Sequence, residues 1–204
     1  MNGIQMQNFI SDTFARLGVA NASVFLQTVN KRSVIAAALG VKIDLLGIGI
    51  IGLVLVNEKQ LRRLKLNDGE LKFVLAHECV HIFKNHIITT AFWNLLERYL
   101  KGENNEHYDV VEAIKVVLLA LSPDRLPPNA VNLRDQEYEA DELAARLTGD
   151  LDAAISCLTK LVKGDLSKPS HVWELFGQVV PAMNMRKRID MLRSCSPPFS
   201  GSII

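Results

Sequence analysis

Val74-Leu75-Ala76-His77-Glu78-Cys79-Val80-His81-Ile82-Phe83 places two imidazoles four residues apart, with a carboxylate directly after the first. In a helix, four residues advance about 400° and roughly 6 Å, so His77 and His81 stack on one face and two ring nitrogens can share one metal ion. Glu78 lies about 60° round from His81 on the same side, where it can hold a metal-bound water without being a ligand. That is the arrangement a zinc hydrolase needs. Leu71, Phe73, Val74, Leu75, Val80, Ile82 and Phe83 leave the helix apolar on every side, which predicts burial. Buried imidazoles and carboxylates need partners, and a metal supplies them; the alternative is a pair of histidines satisfied within the core.

The 204 residues suffice for one domain with a sizeable core, and no linker rich in Gly, Ser or Pro divides them. We expect a single domain over 1–204, with a helix and small sheet in 1–66, the metal-binding helices in 67–147 and a helical part in 148–204. Lys and Arg number 23 against 22 for Asp and Glu, so the net charge of +1 gives no case for nucleic acid or an anionic membrane as partner. Cys79, Cys157 and Cys195 have no CxxC spacing and read as free thiols in a reducing compartment, which points to the cytoplasm. Cys79 lies about 200° from His77 and is assigned to core packing. Residues 1–7 lack the basic and apolar regions of a signal peptide. The longest uncharged apolar run, Leu45 to Val56, is interrupted by Gly47, Gly49 and Gly52 and falls short of the roughly 20 residues that span a bilayer. A soluble protein without a transmembrane segment is expected, with peripheral membrane contact left open.

Along the chain, residues 4–17 have helical spacing, with Gly18 placed to end the helix. Val24 to Val29 and Val34 to Leu39 read as a hairpin about Asn30-Lys31-Arg32, and the β-branched run ending at Asn57 as a central strand, in a sheet of three or four strands. Glu58 to Leu66 forms a short helix, and Asn67 with Glu70 forms the capping box that starts the metal-binding helix. Further helices are expected over Ile87 to Leu100, Tyr108 to Leu121, Arg134 to Leu147, Asp150 to Val162 and Ala182 to Leu192, with a polar break at 101–107 whose residues 101–106 are the candidate mobile loop, and an irregular stretch at Pro127-Pro128-Asn129.

Two histidines do not complete a catalytic zinc site, which takes three protein ligands and leaves one position for water. The helix containing Glu137-Tyr138-Glu139-Ala140-Asp141 offers Glu137 and Asp141 on one face, with Ala140 and Ala144 on that side permitting close helix contact. Glu137 is the expected third ligand, and Asp141 the partner of a histidine's free ring N–H. Glu139 points about 200° away. The plainer reading makes these acids a solvated helix face.

The HExxH at 77–81 with His86, followed by Glu137-Tyr138-Glu139-Ala140-Asp141 as an ExxAD, resembles the HtpX heat-shock protease and CAAX prenyl endopeptidase family of gluzincin zinc metallopeptidases. Leu147 to Leu161, and Arg188-Ile189 through Leu192 as an RIxxL, extend the likeness over roughly 53–192. The resemblance implies an α+β, mostly helical fold with a zincin-like core, and zinc held by His77, His81 and Glu137. It makes Glu78 the general base and has Asp141 hydrogen-bond His77. His86 would lie about 180° from His77 on a continuous helix, so it is given a structural role. The chain lacks the transmembrane helices of many members, and the His-Pro that usually precedes RIxxL; Val180-Pro181 stands nearest.

The expected reaction is hydrolysis of a peptide or protein substrate by a zinc-activated water. His107, Tyr108, Tyr138, His171 and Arg188 are candidate donors to the oxyanion, and Val34 to Leu39 is a candidate edge strand for an extended peptide. Three alternatives stand beside this reading. One is an ImmA-like repressor-cleaving protease, disfavoured by the 56 residues between His81 and Glu137. Another is a zinc-stabilised binding or chaperone-like module, which Glu78 speaks against. The third is a latent protease covered by loops at 101–107 and 122–133.

Overall fold

The computed structural model describes residues 1–29, 35–43, 49–86, 133–163 and 185–194. Asn2 caps helix α1 (Gly3–Arg16) in a reciprocal pair: its side chain accepts from Gln5 N–H at 2.9 Å, and the Gln5 side chain accepts from Asn2 N–H at 2.7 Å. Met6, Ile10 and Phe14, one turn apart, enter the core. Gly18 takes a φ of +74° just past the helix end, a conformation that favours glycine.

Three strands follow: β1 (Ala22–Thr28), β2 (Ala36–Ile43) and β3 (Gly49–Val56). Their order is β1-β3-β2, with β1 parallel and β2 antiparallel to β3. The expected hairpin is therefore incorrect. β2 does run opposite to β1, as a hairpin requires, but β3 lies between them. Ile50, Val54 and Val56 are buried on the inner face of β3, so this strand is worth most at the centre, where it pairs on both sides. Local turn chemistry reports the reversal of direction but not the strand inserted later. The Gln7 side chain covers the other edge of β1, donating to Val24 O and accepting from Leu26 N–H, both at 2.8 Å.

Helix α2 (Glu58–Leu64) leads into α3 (Asp68–Phe83), which starts with the predicted capping box of Asn67 and Glu70. Eleven of its sixteen residues are buried, so the helix runs through the protein and is not an amphipathic surface helix. Leu71, Leu75, Cys79, Val80 and Ile82 pack toward α1 and the sheet. Gly40 lets α3 lie close to β2: a side chain there would meet Ile51 O at 2.7 Å and Ile82 Cγ2 at 3.0 Å. Phe73, Val74 and Ala76 pack on the other side against α4 (Leu133–Thr148), α5 (Leu151–Lys163) and α6 (Met185–Ser194). Ala140 and Ala144 bring α4 near α3 by keeping side chains small, as the sequence suggested, and Ala145 beside them is buried too.

The start of α3 is fixed by a buried polar contact. Glu70 accepts from Ser156 Oγ and Lys160 Nζ of α5, both at 2.6 Å. Burial alone would raise its pKa, but these partners and the Asn67 N–H outweigh it and lower the pKa. Cys79 and Cys157 are buried free thiols whose pKa burial pushes up, consistent with packing and not reactivity. The architecture is α+β and mostly helical with a small mixed sheet. Among the described residues, no helix is long and apolar enough to cross a membrane. The expected helices over 87–100 and 108–121, the stretches at 101–107 and, but for Leu133, at 122–133, the turn at 30–32 and Val180-Pro181 lie outside the described residues.

Candidate metal centre

The site is built by two helices in contact. α3 contributes His77, Glu78 and His81, and α4 contributes Glu137 and Asp141. The two Nε2 atoms of His77 and His81 face each other at 3.0 Å. Glu137 reaches both, with Oε2 3.3 Å from His77 Nε2 and Oε1 3.4 Å from His81 Nε2. A ligand atom from each of the three residues can be chosen so that all lie within 4.8 Å of one another. The face of α4 deduced from the sequence is thus the face turned toward α3.

Asp141 Oδ1 is 3.0 Å from His77 Nδ1, but off the N–H axis, so this buried nitrogen has no well-aligned acceptor and the contact is carried by charge. Asp141 is itself held by Arg188 of α6, whose Nε and Nη2 donate to Oδ2 and Oδ1 at 2.6 Å each. The third guanidinium nitrogen, Nη1, is 3.0 Å from Glu137 Oε2. The sequence places Arg188 among the candidate oxyanion donors. The structure turns it to the two carboxylates instead, and the signal for this was the need of a buried Asp141 for a counter-charge. Tyr138 is stacked under Lys187, whose Nζ lies 5.9 Å from the ring centroid. His107, Tyr108 and His171 lie outside the described residues.

The second histidine has its own outer partners. His81 Nδ1 is 3.0 Å from His86 Nδ1, and His86 Nε2 is 3.2 Å from Glu139 Oε2. Glu139 Oε1 is also paired with Lys84 Nζ. The continuous-helix projection of His86 fails because α3 ends at Phe83 and Asn85 takes a left-handed φ of +55°, which turns His86 back toward His81. Glu139 does leave from the far side of α4, yet it reaches the end of α3.

The charges fit a cation. Burial lowers the His77 pKa, but the Asp141 and Glu137 carboxylates outweigh it and raise it to about 10. Burial lowers that of His81. Burial opposes ionisation of Glu137 and Asp141 too, but Arg188 leads the charges that hold both below the usual carboxylate range. A proton on His77 therefore does what a divalent cation between two Nε2 atoms and a carboxylate would do. Two imidazoles and a carboxylate also form a donor set that zinc favours. Glu78, partly buried beside them, has its pKa raised to about 7 by burial, with the His77 charge lowering and the Glu137 charge raising it, and the nearby Arg188 and the Ala38 backbone N–H of β2 lowering it.

The sequence profile of Peptidase family M48 matches residues 45–198. A curated Protease HtpX homolog of Bifidobacterium longum is 31% identical over 120 residues, covering 51% of this chain and 39% of the relative. Those of Kineococcus radiotolerans and Pseudarthrobacter chlorophenolicus are 30% and 31% identical over 120 and 110 residues, covering 51% and 48% of this chain and 40% and 37% of the relatives. The matches thus span about two fifths of the length of these curated relatives. No solved structure matches the chain significantly.

Proposed function

The chain belongs to peptidase family M48, and from that premise we propose that it is a zinc-dependent endopeptidase with His77, His81 and Glu137 as metal ligands. The observation that carries this reading is the convergence of those three side chains with Glu78 beside them. Bound zinc supplies a Lewis acid that makes water nucleophilic near neutral pH. Glu78 is the general base: its carboxylate stands beside the two histidines without being a ligand, placed to take a proton from the attacking water and return it to the leaving amine. Arg188 is committed to Asp141 and Glu137, so it orients the carboxylates that face the histidines.

The substrate proposed is an extended peptide laid along β2. This strand is the sheet edge packed beside α3, and its Ala38 backbone lies near the Glu78 carboxyl. At the other end, Asn85 occupies the backbone of Lys42, accepting from its N–H at 2.7 Å and donating to its carbonyl at 3.1 Å. The edge that a peptide would share therefore lies between Ala36 and Gly40.

Metal analysis of the purified protein, with digestion of a peptide library, tests the reading. Wild type should carry one zinc per chain and cleave peptides. Glu78→Gln should keep the metal and lose hydrolysis by about 10² or more, because the amide retains shape but accepts no proton. Full zinc retention in His77→Ala or Glu137→Ala overturns the ligand set, and an equally active Glu78→Gln overturns the role of the base.

A further inference from the structure

The geometry points to His86, Glu139 and Lys84 as an outer relay that fixes the tautomer and orientation of His81, making His86 a positioning residue for the metal centre. The inference rests on the reading of His81 as a ligand through Nε2. His81 then keeps its proton on Nδ1, and the atom facing that proton is His86 Nδ1 at 3.0 Å. To accept it, His86 must carry its own proton on Nε2, which faces Glu139 Oε2 at 3.2 Å. The second carboxylate oxygen of Glu139 is held by Lys84. Every proton in the series points outward from the metal site, and the series ends on a carboxylate with a cation beside it. The reverse direction would put a proton on His81 Nε2, facing the metal site.

His81 and His86 are both buried, so neither ring can exchange this contact freely for water. The rings meet edge to face, with centroids 5.0 Å apart. The turn at Asn85, with its φ of +55°, sets this geometry, and the same Asn85 side chain is anchored to Lys42 of β2. The relay therefore ties His81 to α4 through Glu139, and its turn is tied to the sheet. His77 has an unrelated outer partner, Asp141 with Arg188. The two histidines are thus steadied from opposite flanks by different chemistry: a carboxylate with a guanidinium for one, and an imidazole with a carboxylate and an ammonium for the other.

Zinc affinity of the full chain, measured by competition with a chromophoric chelator, and the visible spectrum of the cobalt(II)-loaded protein test the relay. His86→Leu removes the acceptor and should weaken zinc binding about 10- to 100-fold, the usual loss for an outer partner of a metal-bound histidine. The cobalt bands should shift in the same variant. His86→Asn offers an oxygen close to the position of Nδ1 and should recover most of the affinity and the spectrum. Glu139→Ala should move both readouts in the same direction by less. In the double variant with His86→Leu it should add little, because the two side chains act in series. Wild-type affinity and spectrum in His86→Leu would overturn the relay while leaving the ligand set intact. Should His86→Leu fail to fold, His86→Asn and Glu139→Ala decide alone: near-normal affinity with Asn together with a partial loss for Glu139→Ala supports the relay, and no change for Glu139→Ala overturns it. A wild-type protein that binds no zinc would overturn both this inference and the reading on which it rests.

Discussion

Arg188 and Asp141 are locked together by two hydrogen bonds of 2.6 Å each, and both side chains are buried. The pair joins α6 to α4 directly behind His77, so an ion pair whose removal would expose a bare charge lies under the metal site. Burial pushes the Asp141 carboxyl pKa up, and Arg188 leads the charges that bring it below the usual carboxylate value.

Deleting one partner should therefore cost more than an ordinary surface change. Arg188→Met leaves the Asp141 carboxylate without its cation and should destabilise the metal-free protein by about 3–5 kcal/mol in urea unfolding. Pairing it with Asp141→Asn should recover part of that loss, because the stranded charge disappears. A loss below about 1 kcal/mol for Arg188→Met would mean that water reaches Asp141 and that the pair is not buried in the sense argued.

A second buried contact has a pH signature. Glu70 has a lowered folded-state pKa, because Lys160, Ser156 and the Asn67 N–H outweigh the effect of burial. For a carboxyl lowered on folding, the stabilisation is fully present above the unfolded value near 4.3 and fades as pH falls through the folded value. The stability difference between wild type and Glu70→Gln should accordingly be greatest at neutral pH and shrink below about pH 4. Urea midpoints measured across that range check it, and a difference that grows on acidification contradicts the assignment.

The sequence made the centre legible because a helix has a fixed angular period. Spacings of four put His77 over His81 and Glu137 over Asp141, and the buried Ala140 and Ala144 marked the face of contact. The capping box of Asn67 and Glu70 located the start of the helix for the same reason: it is a local pattern. What depended on chain reversal or distance was not legible in this way. The β-branched run did mark β3 as a central strand, but that β1 and β2 pair with it and not with each other is decided between distant segments. His86 was projected along a helix that ends three residues earlier, so its partner was missed. Glu139, read as a residue with no part in the site, is engaged by Lys84 and His86, and these hold its carboxyl down to about 2, His86 first.

Metal dependence of stability ties these residues into one series. A ligand that binds only the folded state stabilises it by RT ln(1 + [L]/Kd), about 2.7 kcal/mol when free zinc is 100 times Kd. Wild type and Glu78→Gln should both gain that increment on going from chelator to buffered zinc, because Glu78 is not a ligand. His77→Ala and Glu137→Ala should gain nothing in the same range. Asp141→Ala should fall between these limits: it keeps all three ligands but frees the His77 ring, so the same increment should require roughly 10- to 100-fold more free zinc. A control on α4 must avoid Glu139, which holds His86. Glu142 serves instead, since it is paired on the surface with Arg146 one turn on, and such exposed pairs contribute about 0–1 kcal/mol. Glu142→Ala should therefore titrate with zinc as wild type does. If Glu142→Ala lost the zinc increment while Asp141→Ala retained it in full, α4 would be presenting a different face to the metal than the one its contacts with α3 define.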